Sequence, residues 1–184
     1  MQLYLIRHPR PAVAPGLCYG RSDLALAEDA AVTASALRAL LPNETPLYSS
    51  PLTRCRLLAE ALHPAPQFDA RLLELDFGDW ELRTWDAIGR PALDDWAAQP
   101  LDFAPPGGES VAALRRRVAE FLAQLGRARG QRAVLVTHAG VMKACAAELL
   151  KLESSEWFSM QFEFGAVSLI EAGRLVWHNK LAAI

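Results

Sequence analysis

Leu3-Tyr4-Leu5-Ile6 is an unbroken apolar run that ends in the charged pair Arg7-His8, and Ala133-Val134-Leu135-Val136-Thr137 repeats the arrangement before His138. Continuous apolar runs of this length predict strands buried on both faces, as in a parallel sheet. Elsewhere the period changes. Between about Glu109 and Arg127, Val111, Leu114, Val118, Phe121, Leu122 and Leu125 recur at the three-and-four spacing of an amphipathic helix. Further helices are expected from Glu28 to Leu41, where Pro42-Asn43 stops the run, and from Val141 to Lys151. Another should follow Ser49-Ser50-Pro51, with Ser50 as N-cap and Pro51 in the first turn, and carry Arg54, Leu57, Leu58 and Leu62 to a stop at His63-Pro64.

Shorter apolar stretches predict strands at Leu47-Tyr48, within the segment from Phe68 to Phe77, at Ala166 to Ile170 and at Leu175 to Trp177. Gly173 between the last two suits a hairpin turn, so that pair should be antiparallel. The segment from Asp79 to Gly108, rich in tryptophan and proline, has the least regular pattern. Strands alternating with helices predict a three-layer α/β/α sandwich around a mostly parallel central sheet. No internal repeat or linker composition interrupts it, so residues 1–184 read as a single domain.

A chain of 184 residues can bury a proper core. Its net charge of −2 and pI near 6.1 offer no basic field for nucleic acid. Arg115-Arg116-Arg117 is accordingly read as a solvated helix face. Three cysteines with no close pairing, and no signal peptide, point to reduced thiols and a cytoplasmic protein. No apolar stretch is long enough to cross a membrane. Composition leaves a homodimer open.

Chemistry enters at the strand ends, because open α/β sheets bind ligands beyond the carboxyl ends of their strands. Two histidines and an arginine there suggest an anion site. Taken singly, His8 or His138 could be a hydrogen-bonded core residue, and Arg7 or Arg54 a salt-bridge partner. Two buried arginines aimed at one place are costly unless an anion joins them. The start of the helix after His138, at Ala139-Gly140, would add free N–H groups for such an anion.

Four motifs then carry a resemblance across nearly the whole chain. Leu5-Ile6-Arg7-His8, Ser50-Pro51-Leu52-Thr53-Arg54-Cys55, the acidic stretch from Leu73 to Glu81 and Val136-Thr137-His138-Ala139-Gly140 are similar, in order and spacing, to the signatures of the histidine phosphatase superfamily, which includes the cofactor-dependent phosphoglycerate mutases. The resemblance implies a phosphomonoesterase working through a phosphohistidine, with no metal and no other cofactor. It makes His8 the nucleophile, and it places Arg7, Arg54 and His138, with Ala139, around the phosphate. Glu74 becomes the acid and base, although Asp76, Asp79 and Glu81 lie close enough to compete for that position. These residue types suit the chemistry: an imidazole can carry a phosphoryl group, and guanidiniums complement its oxygens.

Within the superfamily the chain is most similar to α-ribazole phosphatase-like members, which act on a small phosphate ester in cobalamin assembly. A broad-specificity phosphatase, a mutase and an idle phospho-ligand-binding module are the alternatives. Family mutases carry longer insertions than this chain has, which favours hydrolysis. By the same resemblance Tyr19 and Arg21 line the entrance and residues 79–108 cap it, and Trp85 contacts the substrate unless it only packs the segment onto the sheet. Two departures stand out. Pro9-Arg10-Pro11 lacks N–H donors that the family's loop has, so Arg10 is either an added phosphate ligand or a solvated loop residue. Leu82 stands where many members have glycine.

Overall fold

The computed structural model describes residues 1–127 and 132–181. Its strands are β1 (Gln2–Arg7), β2 (Leu47–Ser49), β3 (Gln67–Phe68), β4 (Arg132–Thr137), β5 (Val167–Glu171) and β6 (Arg174–Lys180), in one sheet of order β3-β2-β4-β1-β5-β6. The first four strands pair in parallel, while β5 runs antiparallel to both β1 and β6. The sheet is therefore mixed at one edge. A two-residue turn suffices there, because Ala172 and Gly173 both take positive φ (48° and 74°), which matches the twist of a hairpin.

The helices are α1 (Ala30–Leu37), α2 (Thr53–Leu62), α3 (Trp85–Ile88), α4 (Arg90–Ala98), α5 (Val111–Arg127), α6 (Ala139–Leu150) and α7 (Ser154–Ser159). Strand alternation divides the core between two layers. Leu3, Leu5, Ala133 and Leu135 pack with residues of α5 and α6, including Val118, Phe121, Met142 and Ala146. Tyr4, Ile6, Val134 and Val136 pack on the other face with Ala34, Leu37, Cys55 and Leu58 of α1 and α2. Each large apolar side chain so buried contributes roughly 1.5–3 kcal/mol. Both faces of the central strands are thus anchored, and their ends are fixed points.

Several boundaries differ from expectation. The helix expected to run from Glu28 to Leu41 is α-helical only to Leu37, capped by the Asp29 side chain on the Ala31 N–H, and tightens into a 3₁₀ turn over Arg38–Leu40. Ser50 is not the N-cap of α2. That helix starts at Thr53, whose N–H and hydroxyl both donate to the Asp23 carboxylate at 2.7 and 2.8 Å. At α6 the first turn begins two residues earlier than expected, so His138 occupies the cap position and Lys151 closes the helix with a φ of 57°. The supposedly irregular 79–108 segment contains α3 and α4. Nor is α7 signalled by its apolar pattern, although Glu153 and Glu156 form a reciprocal capping box there.

The three consecutive arginines do not share one solvated face. Arg116 is exposed, but Arg115 lies 5.2 Å from the Trp157 ring and the Arg117 side chain is only 15% exposed. The Leu82 departure has a clear outcome. Leu82 adopts the left-handed conformation that glycine usually supplies (φ 61°), at a cost of about 1–2 kcal/mol, while its N–H donates to the Cys18 carbonyl at 2.8 Å.

Candidate active site

The parallel register of β1 and β4 runs from Gln2 beside Arg132 to Arg7 beside Thr137, so His8 and His138 come next, side by side. Their ring centroids are 5.1 Å apart, and both residues are buried. Alternation along the strands puts the imidazoles on the side of α2, and Thr137 on the side of Leu72, whose carbonyl accepts its hydroxyl at 2.8 Å. The His8 Nδ1–H donates to the Pro9 carbonyl at 2.7 Å. A carbonyl can only accept, so Nε2 keeps its lone pair, which accepts the Arg54 Nε–H at 3.3 Å. Burial pushes the His8 pKa well below the ordinary value of 6.5, and the Arg54 and Arg7 cations add to the effect against the opposing Pro9 bond.

Arg54, at the start of α2, is completely buried. Its fork is oriented by two carbonyls in the Tyr19–Asp23 stretch, with Nη2 donating to Gly20 at 2.6 Å and Nη1 to Ser22 at 2.8 Å. Its Nε–H points at His8 Nε2 from 3.3 Å. A Cβ at position 20 would lie 1.9 Å from the Leu75 carbonyl, so only glycine lets this loop approach closely enough. Arg7 donates from Nη1 to the Phe162 carbonyl at 2.6 Å, and its Nε is buried without a protein acceptor among the described residues. Burial lowers the Arg7 pKa, opposed by nearby Tyr19, Glu74 and Glu163.

Phe164 is a site residue that the sequence reading missed. Its ring lies 3.5 Å from the Arg7 guanidinium carbon, 5.2 Å from that of Arg10 and 5.4 Å from the His8 ring. Arg10 itself is exposed. Its loop holds its shape by pairing with the chain ahead of α1: Ala27 N–H donates to the Arg10 carbonyl and Ala12 N–H to Ala25. Tyr19 is half-buried, with its ring 5.7 Å from the Arg54 guanidinium.

Ser50 also belongs to the site. Its hydroxyl is 2.8 Å from His138 Nε2, and the Cys55 thiol lies 3.5 Å from the same nitrogen. Burial, then the neighbouring His8 and the Arg54, Arg7 and Arg117 cations, push the His138 pKa well below its ordinary value. Burial likewise raises the Cys55 thiol far above the usual range, so it stays protonated. After His138, Ala139 opens α6, whose first-turn N–H groups have no intrahelical acceptor. The Gly140 N–H donates to Glu74 Oε2 at 3.2 Å, and the Leu75 N–H to Oε1 at 3.0 Å. A Cβ on Gly140 would meet Glu74 Oε1 at 2.3 Å.

Among the acidic residues, then, Glu74 is the one that reaches the start of α6. Asp79 is exposed, and Asp76 accepts from the Gly78 N–H and pairs with Arg21 at 3.2 Å. Glu81 accepts from the N–H groups of Arg21, Ser22 and Phe77 and from the Ser22 hydroxyl. Burial would raise its pKa, but these bonds prevail and lower it. Arg21 does not present its guanidinium at an open entrance: it is committed to Glu109, Asp76 and the Glu74 carbonyl. Trp85 stacks parallel to Trp96 with centroids 6.1 Å apart, and both meet Phe77 edge-on. Among the described residues, no group of three His, Cys, Asp or Glu is placed to hold a metal ion.

The two depressed imidazoles make stability depend on pH with a definite sign. Below about pH 6.5 the unfolded chain binds protons that the folded chain refuses. Stability is therefore complete above that pH and is lost as pH falls toward the depressed folded values. Urea unfolding should show a loss on the order of 1 kcal/mol per imidazole between pH 7.5 and 5.5. His138→Gln should remove about half of that loss, and an undiminished slope would mean that His138 carries a proton in the folded protein.

Three comparisons bear on the whole chain. A family model described as histidine phosphatase superfamily (branch 1) matches residues 3–183. The adenosylcobalamin/alpha-ribazole phosphatase of Salmonella typhimurium is 30% identical over 183 residues, covering 93% of this chain and 90% of that protein. Phosphoserine phosphatase 1 of Hydrogenobacter thermophilus is 29% identical, covering 92% and 86%. In structure, the alpha-ribazole phosphatase of Shigella flexneri superposes with a TM-score of 0.82 at 25% identity, covering 99% of this chain and 96% of that one. The chain belongs to the histidine phosphatase superfamily, and it is an enzyme of that phosphatase class.

Proposed function

We propose that the protein hydrolyses a small phosphomonoester through a phosphohistidine at His8 Nε2. The observation that carries this reading is the line-up at His8: the Nδ1–H is spent on Pro9, so Nε2 is unprotonated, and its lone pair faces the Arg54 Nε–H, which it accepts at 3.3 Å and which an arriving phosphate oxygen can take over. Nε2 attacks phosphorus and the ester oxygen leaves with a proton from Glu74. The Pro9 carbonyl then holds the Nδ1–H of the charged phosphoimidazole. Arg7, Arg54, His138 and the Ala139 N–H stabilise the equatorial oxygens, where charge gathers in the transition state. Glu74 next accepts a proton from water as its oxygen attacks phosphorus, which releases inorganic phosphate and restores His8.

For the substrate we favour α-ribazole 5′-phosphate, on the similarity to the Salmonella and Shigella phosphatases. The nearly equal identity to the Hydrogenobacter phosphoserine phosphatase supports a second reading, hydrolysis of simpler esters. Residues 79–108 are read as the cap. They are laced to the entrance loop by Cys18 N–H to Arg83, Leu82 N–H to Cys18 and Trp85 N–H to the Gly16 carbonyl. The packing of Trp85 among Phe77 and Trp96 favours a structural part for its ring, which leaves Tyr19 and Phe164 as the aromatic surfaces beside the arginines.

His8→Ala should abolish turnover. Acid-quenched wild-type enzyme should carry base-stable, acid-labile phosphate that the variant lacks; full activity in the variant would overturn the mechanism.

The arginines and Glu74 should separate kinetically. Arg54→Ala should weaken inhibition by inorganic phosphate as well as turnover, since it removes charge that faces phosphate in every state. Glu74→Gln should instead keep phosphate affinity and slow phenyl phosphate by about a hundredfold more than p-nitrophenyl phosphate, whose phenolate departs with little help. Equal slowing of both esters would remove Glu74 from the acid role.

Specificity is tested on a set of esters. If the favoured substrate is right, kcat/KM for α-ribazole 5′-phosphate should exceed those for phosphoserine and 3-phosphoglycerate by at least about a hundredfold, near the upper end of what one apolar contact supplies. Comparable values across the set would establish the broad-specificity reading.

A further inference from the structure

Glu74 stands on a loop, and the loop's own backbone does little to hold it. After the 3₁₀ turn at Ala70–Leu72 the chain from Leu73 to Phe77 forms neither strand nor helix. What fixes it is α5. Arg117, from the second turn of that helix, donates from Nη1 to the Arg71 carbonyl at 2.7 Å and from Nη2 to the Glu74 carbonyl at 3.0 Å. Its guanidinium is aimed by Glu109, which accepts from Nη2 at 2.5 Å and from Nε at 3.2 Å. Glu109 also holds the far end of the loop: its N–H donates to the Asp76 carbonyl at 2.9 Å, and its carboxylate accepts the Asp76 N–H at 3.2 Å. Arg21 completes the frame, pairing with Glu109 at 3.0 Å and reaching the Glu74 carbonyl at 3.4 Å.

We infer that Arg117, aimed by Glu109, is a positioning residue for the Glu74 carboxyl: its planar fork bridges the Arg71 and Glu74 carbonyls and so sets where the proton donor stands relative to the departing oxygen. This rests on the acid role given to Glu74 above. Arg117 touches neither His8 nor Arg54 in the hydrogen-bond network, and its charge is the smallest of the influences on His138, so the phosphate half of the site depends little on its fork. The bridge needs two donors held in one plane. A lysine can keep the ion pair with Glu109 yet cannot span both carbonyls.

The test compares Arg117→Lys, Arg117→Met and Glu109→Gln with Glu74→Gln. The readout is the ratio of kcat/KM for p-nitrophenyl phosphate to that for phenyl phosphate, taken with inhibition by inorganic phosphate. Displacing the acid should raise the ratio by about tenfold in each Arg117 variant, since small misplacements of a catalytic group cost one to two orders of magnitude. Glu109→Gln should raise it in the same direction, and phosphate inhibition should stay within about twofold, because the cations facing phosphate are untouched. A purely electrostatic or structural part would be rescued by lysine. A wild-type ratio in Arg117→Lys, with Glu74→Gln raising it, overturns the positioning inference and leaves the Glu74 reading standing. An unchanged ratio in Glu74→Gln overturns both. Should Arg117→Met fail to fold, the lysine and Glu109 variants still decide the matter.

Discussion

The site rests on one pairing, the in-phase parallel register of β1 with β4. Because Arg7 stands beside Thr137, the next residues are His8 and His138, and two imidazoles remote in sequence become neighbours at the carboxyl ends of the two central strands. A shift by one residue would send His8 level with Thr137 and turn the two rings to opposite faces. Both faces of these strands are apolar, so burial alone does not forbid such a slip. Polar groups at the strand ends do: the His8 N–H bonds the Thr137 carbonyl, the Ser50 N–H bonds that of Val136, and the Thr137 hydroxyl bonds that of Leu72. Sliding β1 would break the first of these bonds and sliding β4 all three, in a dry place, at about 1–3 kcal/mol apiece.

The same burial has opposite consequences for the two kinds of basic group. It keeps both imidazoles neutral, which a histidine nucleophile requires. For guanidiniums it is a cost, because a charge out of water must find compensation. Arg54 recovers part of it from the Gly20 and Ser22 carbonyls, Arg7 from the Phe162 carbonyl and the face of Phe164. Neutral carbonyls orient these cations without cancelling their charge, and a carboxylate in their place would have competed with an anionic ligand. The stretch from Tyr19 to Asp23 therefore acts as a fixed polar wall, which explains why position 20 admits no side chain.

The proposed phosphate half of the site was legible in the sequence because its residues lie at the ends of regular elements. Buried parallel strands read as apolar runs, and Arg7, His8 and His138 are the residues that follow them. Ser50 was misread for a physical reason. A serine before proline is a good local cap, but the sheet register offers its hydroxyl a buried imidazole, and no local rule sees that partner. Phe164 had no signal beyond its position in Phe162-Glu163-Phe164-Gly165, ahead of β5. Arg117 had one that went unused: it follows Leu114 by three residues and precedes Phe121 by four, and both are buried, so helical geometry places it on the inner flank of α5.

These differences divide the site into two kinds of construction. The proposed phosphate half is built on strand ends and the first turns of α2 and α6, where the backbone's own hydrogen bonds set atomic positions. The proposed proton half hangs on a loop, held by the Arg117 and Arg21 guanidiniums and by Glu109. Gly140 joins the two at the carboxylate, through an N–H to Glu74 and a lack of Cβ that lets the carboxylate approach. Strand ends cannot shift without unpairing a sheet, whereas the loop can shift whenever the cap and its ion network change. On the proposed roles, such a design lets the leaving-group side be retuned for different esters while the phosphate pocket stays in place, and the relatives, which are named for different phosphate esters, are where that retuning would be sought.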